Sequence, residues 1–397
     1  MGDAKTATAA IGPAAGRGAV IGAMFLMATS AIGPGFITQT ATFTAQLGAA
    51  FAFAIVASTL VDIAVQLNVW RVIGVSGQRG HELGNKVAPG VGYVLAALVV
   101  LGGLVFNIGN VGGTGLGLNA LLGVDPFIGG ALSAAIAIAI FLSKKAGVAL
   151  DRIVVVLGGV MILLTTYVAI VSGPPVGEAL RNAVLPDQIS FLVITTLIGG
   201  TVGGYITYAG AHRLLDSGLT GPEHAPGIAK SSVIGILVTA VMRVVLFLAM
   251  LGVVAGGVQL ADNDPAGSAF EAAAGQVGLR LFGIILWAAA MTSVIGAAYT
   301  SVSFLTTKKT SERRRNLLTV GFIALSTVIY LILGTAPATL LVFAGAFNGL
   351  ILPIGFTLVL WVAWRRRDLL GGYKYPGWLL GIGVLAWLLT LYMGYAS

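Results

Sequence analysis

Ile32-Gly33-Pro34-Gly35-Phe36 and Gly199-Gly200-Thr201-Val202-Gly203-Gly204-Tyr205 interrupt two apolar stretches that are otherwise long enough to cross a bilayer. Proline removes a backbone donor, and paired glycines make non-helical dihedrals accessible. Backbone released from helical bonding at membrane depth persists only where protein or a water-filled cavity satisfies it. Breaks at corresponding places in two halves of a chain therefore predict a transporter with a central site between them.

The surrounding composition agrees. The 397 residues are 57% hydrophobic and 9% charged, with a mean hydropathy of +0.98, which excludes an ordinary soluble globular protein. Apolar runs of about 20 residues lie near 20–44, 48–70, 91–118, 126–143, 151–172, 190–211, 231–256, 278–304, 316–334, 338–364 and 377–395. This predicts an all-α polytopic membrane protein of about eleven transmembrane helices. Its parts are a cytoplasmic tail over 1–18 and one transmembrane domain over 19–397, split into repeats over about 19–172 and 190–364 plus a last helix near 377–395. The first apolar run continues into the Gly33-Pro34-Gly35 break without a cleavage site, so it reads as mature structure. Long outward loops are expected at 173–189 and 257–277. Glycine crowding at Gly102, Gly103, Gly109, Gly112, Gly113, Gly115 and Gly117 reads as close helix packing.

A net charge of +8 suggests nucleic acid in a soluble chain, but here its placement points to the lipid bilayer as partner. With the N-terminus in the cytoplasm, nineteen of the 22 basic residues fall inside, and only Arg181, Arg243 and Arg280 do not. The positive-inside rule then predicts a multi-pass protein of the plasma membrane with its C-terminus outside. Arg313-Arg314-Arg315 and Arg365-Arg366-Arg367 read as topology anchors at anionic headgroups. The absence of cysteine excludes disulfides and thiolate chemistry. No H-E-x-x-H motif, intramembrane aspartate pair or nucleophile-base set is present, so an enzyme is not expected, nor is a bound cofactor.

The string from Phe25 to Phe36 resembles the first span of the NRAMP family of proton-coupled divalent-metal transporters, with G-P-G-F where the family has D-P-G-N. The similarity continues through Ala45-Gln46-Leu47-Gly48, Gln66, Arg71, the segment Gly117–Gly123 and Leu352-Pro353. Ile198–Val202 precedes the place of the family's M-P-H-N. The resemblance implies two inverted five-helix repeats in the LeuT-like amino-acid transporter architecture, with broken helices 1 and 6. Its metal ligands would fall on Gly33, Phe36, Gly203 and Tyr205, so both the hard carboxylate and the soft thioether are missing. The acidic pair that the family carries in the third span falls on Asn107 and Asn110, which do not titrate.

What remains at the breaks is uncharged. Gly33, Gly35, Phe36, Thr38 and Gln39 at the first break, Thr201, Gly203, Gly204 and Tyr205 at the second, Asn107 and Asn110 between them, and Arg243 are the expected substrate-binding residues. Half-helices beginning at the breaks aim free N–H groups into the cavity and favour a carboxylate. Arg243 lies deep in its span, where a charge is costly and marks a functional site with a partner, directly or through Asp62. Asp62 and His212 are coupling or gating residues, with the coupling ion open between H+ and Na+. The leading expectation is a secondary transporter for a small organic anion or zwitterion such as 5-oxoproline. The alternative is a divalent cation of the Mn²⁺ or Mg²⁺ type, held on Asp62 and freed carbonyls.

Overall fold

The computed structural model describes residues 31–307 and 310–397, with side chains for all of these except 144–155. The predicted tail over 1–18, and the half of the first span before Ala31, lie outside the described residues. The regular structure among the described residues is helical. The helices are α1 Pro34–Leu47, α2 Phe51–Ser76, α3 Gly80–Val87, α4 Val91–Leu122, α5 Pro126–Leu142, α6 Lys144–Val171 and α7 Val176–Val184. They continue with α8 Phe191–Thr201, α9 Ile206–Asp216, α10 Ala225–Ala255, α11 Pro265–Leu305, α12 Glu312–Leu333, α13 Pro337–Arg365 and α14 Gly377–Tyr395.

Helix starts follow local chemistry. Pro34, Pro126, Pro265 and Pro337 open α1, α5, α11 and α13, where the missing N–H has no intrahelical acceptor to lose. Asp125 accepts from the backbone N–H of Phe127 at 2.9 Å and of Ile128 at 3.2 Å, and Asp264 accepts from Gly267 at 2.9 Å. Within the described residues each predicted span overlaps a helix, while the count of about eleven is not confirmed by length and apolarity. Among the described residues eight helical stretches are long and apolar enough to cross a membrane, or nine if one bent pair counts as a single span. The differences are physical: α5 is 17 residues long, and α1 runs into α2 through a short turn at Gly48–Ala50.

The two predicted loops also carry helix. In 173–189 the chain turns by 106° and forms the amphipathic α7, and in 257–277 the Asp264 cap starts α11 thirteen residues early. Gly275, at φ +62°, bends α11 between its outer turns and its apolar run.

Packing leaves apolar side chains on the outside as well as in the core. Leu60, Leu163, Val277, Leu317 and Ile332 are exposed, while Gln39, Asp62, Asn107, Tyr205 and Arg243 are buried. The two longest helices, α4 and α11, meet through glycine. A Cβ on Gly117 would lie 2.5 Å from the Trp287 nitrogen, and one on Gly283 would lie 2.6 Å from the Leu121 nitrogen. Pro34 seats in the notch left by Gly113, where a Cβ would lie 2.4 Å from the ring. The first break is thereby docked against the middle of α4.

Candidate functional site

At the first break Ala31 is helical, Ile32 and Gly33 bend, and α1 begins at Pro34. Gly33 is extended, at φ −98° and ψ −172°, and no side chain caps the helix. The N–H groups of Gly35 and Phe36 therefore have no intrahelical acceptor and face the break. The second break is shorter than the sequence suggests. Gly199 and Gly200 stay helical in α8, and only Val202–Tyr205 leave the helix, with Gly204 at φ +53°. The reason Gly199 is glycine is contact: a Cβ there would lie 1.9 Å from the Gly345 carbonyl oxygen and 2.3 Å from the Gly349 nitrogen of α13.

Four elements meet beside Thr201. Arg243 of α10 donates from Nη1 to Thr201 Oγ1 at 3.2 Å, and its guanidinium lies 4.3 Å from the centre of the Phe36 ring of α1. The carboxyl of Asp62, on α2, sits beside the same hydroxyl. Acid and base both meet the Thr201 hydroxyl. Nε and Nη2 of Arg243 and Oδ1 of Asp62 have no protein partner. Thr201 also donates to Leu197 O at 2.9 Å.

Uncharged groups surround this cluster. Gln39 donates from Nε2 to Leu341 O at 3.1 Å and holds an unpartnered Oε1 against Gly200. Tyr205 stands beside the Asn110 carboxamide and packs edge-on to Phe106 with centroids 5.7 Å apart. Asn348 of α13 donates to Gly102 O at 3.1 Å, and its unpartnered Oδ1 presses on Gly204. Gly203 lies over Asn348 as well, and Thr38 is buried on α1. A Cβ on Gly35 would meet only ordinary contacts, so close approach does not explain that glycine.

One expected binding residue faces elsewhere, and the gating candidate His212 lies apart from the breaks. Asn107 donates to Ser326 Oγ of α12 at 3.1 Å, away from the breaks, although it is only three residues from Asn110 on the same helix. His212 lies at the far end of α9, where its Nδ1 pairs with Ser303 Oγ at 2.9 Å. There Arg79, with a side chain 3% exposed, bridges Asp216 at 3.1 Å and donates to Ser303 O and Thr306 O at the end of α11. Burial lowers the His81 imidazole below its usual range, and the Glu82 carboxylate accepts from the Arg79 backbone N–H at 2.9 Å. Sequence reading counted Arg79 only among cytoplasmic basic residues, and Ser301, with an unpartnered hydroxyl against Gly103, carried no signal at all.

The Arg79 cluster ties the start of α3 to the ends of α9 and α11. Because the chain has no cysteine, Thr207→Cys supplies a unique thiol at a residue that is now fully buried. Adding Arg79→Gln is expected to raise the labelling rate of that thiol, by a reagent applied from the Arg79 side, several-fold. An unchanged rate assigns the cluster to static packing.

Residues 24–397 match the model of the family described as natural resistance-associated macrophage protein-like, Nramp. Over 377 residues the chain is 55% identical to the uncharacterized membrane protein YcsG of Bacillus subtilis (strain 168), covering 94% of this chain and 93% of that one. An uncharacterized membrane protein of Haemophilus influenzae is 54% identical, with 96% and 95% covered. Among solved structures, a manganese transporter of Eremococcus coleocola superposes with a TM-score of 0.75 at 18% identity, covering 95% of this chain and 85% of that one. MhsT in complex with L-phenylalanine superposes with a TM-score of 0.69 at 15% identity, with 95% and 98% covered. At such identities the likeness establishes the fold, which is the LeuT-like architecture that the family resemblance implied. The chain is a multi-pass membrane protein with a transporter fold, and it belongs to the natural resistance-associated macrophage protein-like (Nramp) family.

Proposed function

We propose that this protein is a secondary transporter that moves a small organic anion or zwitterion across the plasma membrane by alternating access. Its N-terminus lies in the cytoplasm and its single membrane domain comprises the two repeats and the last helix. The observation that carries this reading is the state of Arg243: it is 3% exposed, gives one N–H to Thr201, and leaves Nε and Nη2 without a protein partner. Buried guanidinium donors left unpaired cost free energy that a carboxylate recovers with short, charge-assisted hydrogen bonds. The uncapped start of α1 adds N–H groups and a positive dipole end from the facing side. Gln39, Asn110 and Asn348 offer an amide oxygen or nitrogen apiece to the rest of the molecule, which suits a small amide-bearing acid such as 5-oxoproline.

A second reading, divalent metal transport, is favoured by the manganese transporter among the fold neighbours and by the free oxygen of Asp62. Hydrated Mg²⁺ keeps several waters and asks for few protein ligands. Against it, no group of three or more His, Asp or Glu side chains comes together among the described residues, and the Arg243 field repels a cation. Uptake into liposomes containing the purified protein separates the two. Accumulation of labelled 5-oxoproline or a similar carboxylate without Mn²⁺ is expected. Saturable Mn²⁺ or Mg²⁺ binding by calorimetry, lost in Asp62→Asn, would instead establish the metal reading.

A further inference from the structure

We propose that α13 and α14 form a binding site for an anionic phospholipid, distinct from the transport site. Between the two helices runs an open groove of about 580 Å³ walled by Leu360, Trp361, Trp364, Leu380, Val384 and Trp387. Four of the chain's six tryptophans stand on this helix pair, the fourth being the exposed Trp378, and tryptophan concentrates where a membrane meets water. The groove has a defined wall: Trp387 donates from Nε1 to Thr357 Oγ1 at 2.8 Å, and the Trp361 and Trp364 rings pack edge to face.

Positive charge sits at one end of this groove. The Arg365 guanidinium stacks on the Trp364 ring at 3.9 Å, so the cation is held directly on the groove wall. Arg366 is already engaged, by Asp368 and by Lys86 O at 2.8 Å. Arg365, Arg367 and Lys374 are exposed and have no ion pair among the described residues. Lys374 is also fixed in place, because its neighbours pin the loop to α2: Tyr373 accepts from Arg71 at 2.8 Å and Tyr375 donates to Asn68 at 2.7 Å. An apolar groove ending in three free cations, one locked by stacking and one by its loop, complements a lipid with an acyl chain and a phosphate-bearing anionic headgroup. A second copy of this chain would bring three more cations to the same place and is disfavoured by repulsion.

The test uses the full chain in phosphatidylcholine vesicles, titrated with brominated phosphatidylglycerol or brominated phosphatidylcholine, with tryptophan quenching as the readout. Each cation near the surface contributes a factor of about five at low salt, so half-maximal quenching is expected at a phosphatidylglycerol fraction at least about tenfold lower than for phosphatidylcholine. Arg365→Gln/Arg367→Gln/Lys374→Gln should erase that preference. Gly381 lies on the groove floor and a Cβ there meets nothing within 4 Å, so Gly381→Phe fills the groove without disturbing the fold and should reduce the depth of quenching. Equal curves for the two lipids overturn the proposal, as does a preference that survives both variants, or a dimer cross-linked through α14 that shows no lipid preference.

Discussion

Arg243→Ala is expected to reduce carboxylate uptake into liposomes by at least about 30-fold, since truncating one partner of a buried, hydrogen-bonded charge interaction costs roughly 2 kcal/mol or more. The loss should appear in substrate affinity as well as in rate, because the guanidinium is assigned to binding and not to a gate. Arg243→Lys keeps the charge but replaces a planar fork by a point charge on a flexible stem, so uptake should recover only in part. Size-exclusion profiles separate loss of binding from loss of fold: the alanine variant removes a ring contact with Phe36 and one hydrogen bond, yet creates no clash. Full uptake by a well-folded Arg243→Ala protein would remove the basis for an anionic substrate. Asp62→Asn separates the carboxylate's part from that of Arg243, because it keeps a polar group beside Thr201 and removes only the carboxylate charge.

The second large effect is structural. In Gly199→Ala the new methyl would stand 1.9 Å from the carbonyl oxygen of Gly345 and 2.3 Å from the nitrogen of Gly349, and both are backbone atoms that no rotamer change can move aside. α8 and α13 would have to separate, which also breaks the seat of Gln39 between Gly200 and Gly345. Overpacking of this kind costs about 3 kcal/mol. We expect a drop in melting temperature in detergent and loss of monodispersity. Gly321→Ala, at a helical glycine of α12 with nothing within 4 Å, should be neutral or slightly stabilising by up to about 1 kcal/mol. Equal stability of the two variants would mean that the α8–α13 crossing is not as tight as described.

These outcomes bear on different layers of the protein. The α8–α13 crossing holds the second break against the first, and Arg243 acts within the space that crossing defines. The tie between Arg79 and Asp216 lies farther along α9 and is independent of both, so its loss should leave melting and affinity less changed than thiol accessibility.

Composition, the spacing of apolar runs and the glycine-proline interruption at Gly33–Gly35 were enough to establish a helical membrane transporter with two breaks. Those signals are local, and the bilayer permits few alternatives to a helix. The resemblance also implied which residues stand where the family has metal ligands, Gly33 in place of a carboxylate among them, and that inference needs no coordinates. Direction was not legible. Asn107 and Asn110 are three residues apart on one helix, yet one bonds to Ser326 and the other stands beside Tyr205, since a helical residue's partner depends on which neighbour packs there. Nor could sequence tell that Gly199 serves a crossing whereas Gly204 serves a turn, or that Arg79 is buried while Arg365 is free. The contacts of Gly199 with Gly345 and of Arg79 with Asp216 join segments more than a hundred residues apart, and only the packed structure brings those segments together.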